Sequence, residues 1–232
     1  MSTYEKDNKK LIYLPIDIKI DLPNAEDLVD WHNANLESSH ERQSRFCMLG
    51  CSFDLKAKLG DWRTFPKFMF RHDADLLEKE VDDYKFHWAP GFAERFPTLV
   101  DAVNCQPFKQ VTLVMWDCFP VYRPAHHDNW TQRSKYQTMD NPPVEPRRYN
   151  IHITDVSKNK FFMGSDENKI YPGPLDPNYP CTIFNDSDIM HGADAPDDER
   201  IIMSTFGVID KDKHLELIER SLAKFPDRAL WI

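Results

Sequence analysis

Between residues 108 and 210 the chain is a succession of short β-rich runs with no helical pattern between them. The runs are Val111 to Trp116, Tyr149 to Thr154, Lys160 to Gly164, Cys181 to Asn185 and Ile201 to Val208, each separated from the next by a turn-rich stretch. Parallel strands need long crossovers, usually helical, so runs joined in this way must pair antiparallel and close on one another. A closed or two-sheet antiparallel structure, of the jelly-roll or cupin-like kind, is the expected architecture. With 232 residues, 41% of them hydrophobic, the chain can bury one sizeable core. We expect one domain of α+β, mainly β, class.

The flanks read as support for that core. Residues Leu11 to Ile20 form an expected edge strand in which Ile16, Ile18 and Ile20 alternate with Asp17 and Lys19. Asn24 is placed to cap a helix carrying Leu28, Trp31, Asn35 and Leu36 near one face, with Glu26 and Asp27 in its first turn. Helical spacing recurs over residues 73 to 84 and 92 to 103, the second interrupted by Pro97. A last helix starts near Asp212 and sets Leu215, Ile218, Leu222 and Phe225 on one stripe. The organisation is therefore helical and strand support over 1–107, a β core over 108–210 and a C-terminal helix over 211–232.

A net charge of −9 argues against a phosphate-neutralising surface. Met1 to Lys10 is polar and mixed in charge, and no apolar run approaches the ~20 residues of a membrane span. The expectation is a soluble, cytoplasmic protein without a membrane partner. Five cysteines without a Cys-x-x-Cys pair suggest neither a disulfide framework nor a thiolate zinc site, so reduced and mostly buried thiols are expected.

The segment Tyr122-Arg123-Pro124-Ala125-His126-His127-Asp128-Asn129-Trp130 carries the strongest chemical signal. Residues i and i+2 of a strand share a face, so His126 and Asp128 point together and His127 points away. A third ligand from another strand would complete a two-histidine, one-carboxylate set, which leaves coordination positions of Fe(II) open for a bidentate cosubstrate and dioxygen. His191, just after the run Cys181 to Asn185, is the candidate. A cosubstrate with two carboxylates needs a fixed cation at the end remote from the metal. Arg200, opening the run that leads to Val208, suits that role because an arginine fork meets a carboxylate bidentately.

Taken together, His126-x-Asp128, His191 and Arg200 resemble the signature of the Fe(II)/2-oxoglutarate-dependent oxygenases over residues 108 to 210. Within that superfamily, Arg148-Tyr149-Asn150-Ile151-His152-Ile153, Phe184-Asn185-Asp186-Ser187 and Arg200-Ile201-Ile202 resemble the aspartyl/asparaginyl β-hydroxylase-like branch, and bacterial free-proline hydroxylases look similar. The resemblance implies a double-stranded β-helix core, Fe(II) as cofactor, 2-oxoglutarate and O2 as cosubstrates, and hydroxylation of an unactivated C–H with succinate and CO2 as coproducts. It implies His126, Asp128 and His191 as the catalytic metal ligands and Arg200 as the anchor of the cosubstrate. The branch's Arg-x-His motif aligns with Asn150 and His152, so its arginine is absent here. Arg148, two residues earlier on the same strand face, is placed for cosubstrate or substrate instead. Asn129 and Asp186 are candidates for orienting the ligands.

The insertion Asn129 to Arg147 reads either as a lid over the barrel mouth or as an ordinary surface loop. As a lid, Trp130 with Arg148 would grip an amino-acid-like substrate, free or within a peptide or protein. Two other functions compete. A nucleic-acid demethylase would want a basic groove with stacking aromatics, and a cupin-like binding protein would hold Zn(II) or another ion without redox turnover.

Overall fold

The computed structural model describes residues 3–35, 45–51, 86–89, 91–119, 121–128, 144–154, 156–196 and 200–232. The expected helix at 73–84 lies outside these residues, as do Trp130 and most of the candidate lid.

The described residues form two antiparallel sheets with few helices. Nine strands make the larger sheet: β1 (Glu5–Lys6), β2 (Lys9–Pro15), β3 (Arg45–Cys51), β4 (His87–Trp88), β5 (Phe108–Phe119), β7 (Arg148–His152), β9 (Cys181–Phe184), β11 (Arg200–Ile209) and β12 (Leu230–Trp231). Their order is β1-β2-β9-β7-β11-β5-β3-β4, with β12 also on β2. The smaller sheet has three strands, β6 (Arg123–His126), β10 (His191–Ala193) and β8 (Phe161–Met163), in the order β6-β10-β8. From β5 to β11, consecutive strands alternate between the larger sheet and the smaller one.

The axis of the larger sheet is the pairing of β5 with β11, which runs from Arg200 opposite Phe119 to Ile209 opposite Phe108. One face of this sheet is apolar. Val114, Trp116, Tyr149, Ile151, Ile183, Ile201 and Met203 are buried in one continuous core with Leu14, Leu28 and Trp31. Helix α1 (Ala25–Asn35) contributes the last two residues. It starts where Asn24 Oδ1 accepts a hydrogen bond from the Glu26 amide at 3.1 Å, as the capping reading predicts. Trp31 meets Phe92 and Phe96 edge-on at centroid distances of 5.2 and 6.1 Å. The interrupted helix at 92–103 is two helices, α2 (Phe92–Arg95) and α3 (Pro97–Asn104), with Pro97 at the start of the second, where its missing amide hydrogen costs nothing.

Four expectations need correction. The strand expected over Leu11 to Ile20 ends at Pro15, and it is interior, since Tyr13 of β2 pairs with Phe184 of β9 on one side and with Leu230 of β12 on the other. The alternation of Ile16, Ile18 and Ile20 reports burial in the core, not strand pairing. The last helix, α4 (Lys211–Lys224), buries His214, Leu217, Ile218 and Ser221, so its inward face is rotated from the stripe through Leu215 and Leu222. Two of those four side chains are polar, and a stripe drawn from apolar residues passes them by. The thiol expectation is not among these corrections: of the two cysteines whose burial is described, Cys181 is buried and Cys105 exposed, both as free thiols.

Candidate metal centre

The alternation of a strand's side chains sets two rows of residues against each other across one cavity. On β7, Tyr149 and Ile151 enter the apolar core, which turns Arg148, Asn150 and His152 to the other face. On β11, Ile201 and Met203 do the same, leaving Arg200, Ile202 and Ser204 on that opposite face. The cavity is partly open to solvent. Arg148, Asn150, Arg200, Ile202 and Ser204 form its wall on the larger sheet, and Arg123, His126, Asp128 and His191 form its wall on the smaller sheet.

His126, Asp128 and His191 converge here, with one potential ligand atom from each lying within 4.8 Å of the others. The histidines are direct cross-strand partners, His191 on β10 opposite His126 on β6, with ring centroids 4.5 Å apart. Asp128 lies just beyond the end of β6, where its amide donates to the Asp186 carbonyl at 3.0 Å. That bond returns the carboxylate to the histidines, 3.5 Å from His126 Nε2 and 3.6 Å from His191 Nε2. His127 is exposed, as the alternation predicts.

The electrostatics suit a cation. Burial alone would raise the pKa of Asp128, but the His126 and His191 imidazoles beside it and the charge of Arg148 hold it well below the usual carboxylate range. Burial lowers the pKa of His191 against the opposing pull of Asp128, which favours the neutral, metal-binding imidazole. The Nδ1 of His126 is 2.8 Å from the Pro124 carbonyl, and a carbonyl only accepts, so the proton sits on Nδ1 and the Nε2 lone pair faces the cavity. Arg123 Nε donates to that lone pair at 3.1 Å. A metal would compete with Arg123 for it. By contrast, the buried Nδ1 of His191 has no hydrogen-bond partner. Phe184 and Phe161 stand against the His191 ring at centroid distances of 4.8 and 5.9 Å and shield it.

Arg148 is clamped. Its guanidinium is 3.5 Å from Asp128 and 4.0 Å from Asp186 and stacks 3.9 Å over the Phe206 ring. Burial pushes the Asp186 carboxyl up to about 7, with Arg148 opposing. Arg148 and Asp186 thus brace the carboxylate of the cluster. Arg200 is buried on the far wall with its guanidinium 5.8 Å from the Phe161 ring centroid. Asn150 reaches the cavity and accepts a hydrogen bond from Ser204 at 2.7 Å. His152 does not line the cavity. It shares the face of Arg148 and Asn150 but lies past the end of the cavity, 3.1 Å from the Thr182 hydroxyl, where burial and then Arg200 push its pKa down to about 3. Arg123, Gly192, Ser204 and Phe206 are site residues that sequence reasoning missed.

Two comparisons with known proteins bear on this site. No protein-family model matches the chain, and no curated protein matches it.

Proposed function

We propose that the chain is an Fe(II)- and 2-oxoglutarate-dependent dioxygenase that hydroxylates an unactivated C–H of an amino acid, free or within a peptide or protein. The observation that carries this reading is the pairing, across one cavity, of a two-histidine, one-carboxylate cluster with a buried arginine on the opposite sheet. The alternation of strands β5 to β11 between two antiparallel sheets supports a double-stranded β-helix, the architecture that the motif resemblance implies.

His126, Asp128 and His191 would hold the iron, which when bound supplies the dioxygen chemistry that protein side chains lack. The protein's own part is orientation and exclusion of water. Pro124 fixes the His126 tautomer, and Arg148 keeps Asp128 ionised and aimed. Phe161 and Phe184 dry the His191 side, and Arg200 offers a fork for the distal carboxylate of 2-oxoglutarate. The same three donors also suit Zn(II), so a binding protein without redox turnover is the second reading. Such a protein has no need of Arg200.

Anaerobic titration with Fe(II) and then 2-oxoglutarate separates the two. A dioxygenase gives the weak metal-to-ligand charge-transfer band of the chelate, lost in His126→Ala and in Arg200→Ala, the latter still binding metal. Iron binding without a band in the unaltered protein favours the second reading and overturns the first.

A further inference from the structure

Beside the paired ends of β7 and β9 the chain buries charge that does not line the cavity. Arg148 of β7 faces Phe184 of β9 in antiparallel register, so counting three residues outward sets Glu145 opposite Ser187. The Ser187 hydroxyl donates to Glu145 Oε1 at 3.2 Å, and Arg147 Nε lies 2.7 Å from the same oxygen. The Glu145 and Arg147 side chains are 0% and 1% exposed. The Glu145 carbonyl accepts the Tyr4 amide at 2.7 Å, which ties this corner to the N-terminal segment.

Such a pair is a poor device for stability. Two charges taken out of water recover that loss only when their remaining donors and acceptors are bonded, and an apolar pair of similar size is often as stable or more so. Glu145 Oε2 and Arg147 Nη1 and Nη2 have no hydrogen-bond partner among the described residues. Burial raises the pKa of Glu145 against the pull of Arg147, so its partner does not fully offset the desolvation of this carboxylate.

What the pair does hold is the turn that leaves β9. Asn185 closes this turn, its Oδ1 accepting the Asp188 amide at 2.9 Å and its Nδ2 donating to Asp188 Oδ2 at 3.2 Å. Asp186, next to Ser187, touches the cluster twice. Its carbonyl accepts the Asp128 amide, and its carboxylate lies 4.0 Å from Arg148, which is itself 3.5 Å from Asp128. Asp128 lies past the last residue of β6, so contacts outside the strand ladder aim its carboxylate at the histidines. A shift of Ser187 moves Asp186 and both of these contacts.

We propose that Glu145 and Arg147 are positioning residues for the metal cluster, holding Ser187 and, through Asp186, the carboxylate of Asp128. This rests on the reading of His126, Asp128 and His191 as metal ligands, and needs neither a particular metal nor a cosubstrate.

The test uses the full chain and two probes, Zn(II) by calorimetric titration and Co(II) by its visible spectrum, which reports the donors around the ion. Ser187→Ala cuts the link and leaves the buried charges in place. It lowers Zn(II) affinity about tenfold, as for other residues that orient a ligand, and alters the Co(II) spectrum while the metal-free protein melts as before. Glu145→Met/Arg147→Met, uncharged and of similar size, does the same at an unchanged or higher melting temperature. Adding Ser187→Ala to it lowers the affinity no further, because all three residues act through one contact. Glu145→Gln/Arg147→Gln, equally uncharged but with an acceptor for the Ser187 hydroxyl, keeps most of the affinity and the spectrum. Unchanged affinity in Ser187→Ala overturns the proposal whether or not the methionine pair folds. An additive loss in the triple variant, a glutamine pair as weak as the methionine pair, or an affinity loss matched by a fall in melting temperature overturns it too. Absence of Zn(II) and Co(II) binding in the unaltered chain instead removes the metal-ligand reading beneath it.

Discussion

The two sheets face the same cavity but are built on different plans. The larger one has strands of up to 12 residues and an unbroken apolar face. It presents arginines and neutral polar groups to the cavity from regular positions on β7 and β11. The smaller one has strands of 4, 3 and 3 residues, a register slip and a proline, and it carries the histidines. Regular pairing over a packed core makes a stiff wall for fixed charges. A short, bulged sheet can turn side chains into positions that strict alternation forbids. The apolar core and the candidate ligand histidines are thereby assigned to different parts of one molecule.

This separation is open to attack from both sides. The largest expected effect is on the smaller sheet. His191→Ala removes one of three donors and should weaken divalent metal binding by more than about 100-fold, beyond the range typical for losing a residue that merely orients a ligand. Calorimetric titration with Zn(II) or Fe(II) measures it, and the melting temperature of the metal-free protein should hardly move. A core truncation on the other sheet should do the reverse. Ile183→Ala, at a position with no exposure, is expected to cost about 2–5 kcal/mol in denaturant unfolding while the surviving folded protein keeps its metal affinity. If Ile183→Ala weakened chelation as much as it weakened the fold, the two plans would not be separate.

Gly192→Ala tests the seam. A Cβ there would meet Phe162 Cζ at 2.5 Å and the Arg123 carbonyl oxygen at 2.6 Å. Phe162 can rotate, but the backbone of β6 has to move away, carrying His126 from His191. Metal affinity should fall by about tenfold, similar to the loss of an orienting neighbour, with only a modest drop in melting temperature.

The smallest effect is in the pH dependence of the larger sheet's support. Burial pushes the pKa of His214 from 6.5 down to about 4 in the folded chain. The folded protein keeps this histidine neutral where the unfolded chain would protonate it. Its contribution is therefore complete above pH 6.5 and is lost as pH falls towards 4. His214→Gln should flatten the fall in melting temperature across that interval. An unchanged profile would place the acid sensitivity elsewhere.

Much of this arrangement was legible in the residues. His126, Asp128 and His191 follow from an i, i+2 pair and a histidine near a β-run, and they do converge, although Asp128 reaches the site from beyond the strand end. The division of β7 and β11 into an inward and an outward row is ordinary alternation, which is why Arg148 and Asn150 read correctly as sharing one face. Arg123 was illegible because a bulge reverses parity, and a bulge depends on a partner strand 65 residues away. His152 shares the parity of Arg148 but lies past the end of the cavity, and parity says nothing of depth. The inward face of α4 was misplaced because His214 is buried by bonds to Tyr149 and to the Val144 carbonyl, which no hydrophobic pattern encodes.

The long pairing of β5 with β11 has a consequence for the order of events as the chain folds. Residues 108–119 must find residues 200–209, and the cavity's two walls are drawn from the segments between and within them. Contacts so distant in sequence slow the search, and sheets of this type fold on millisecond-to-second scales rather than microseconds. His126 and His191 become neighbours only when that search is nearly over. On a ribosome, the cluster could take up an ion only after the last third of the chain has emerged, so any metal loading would be a late event that follows folding and does not guide it.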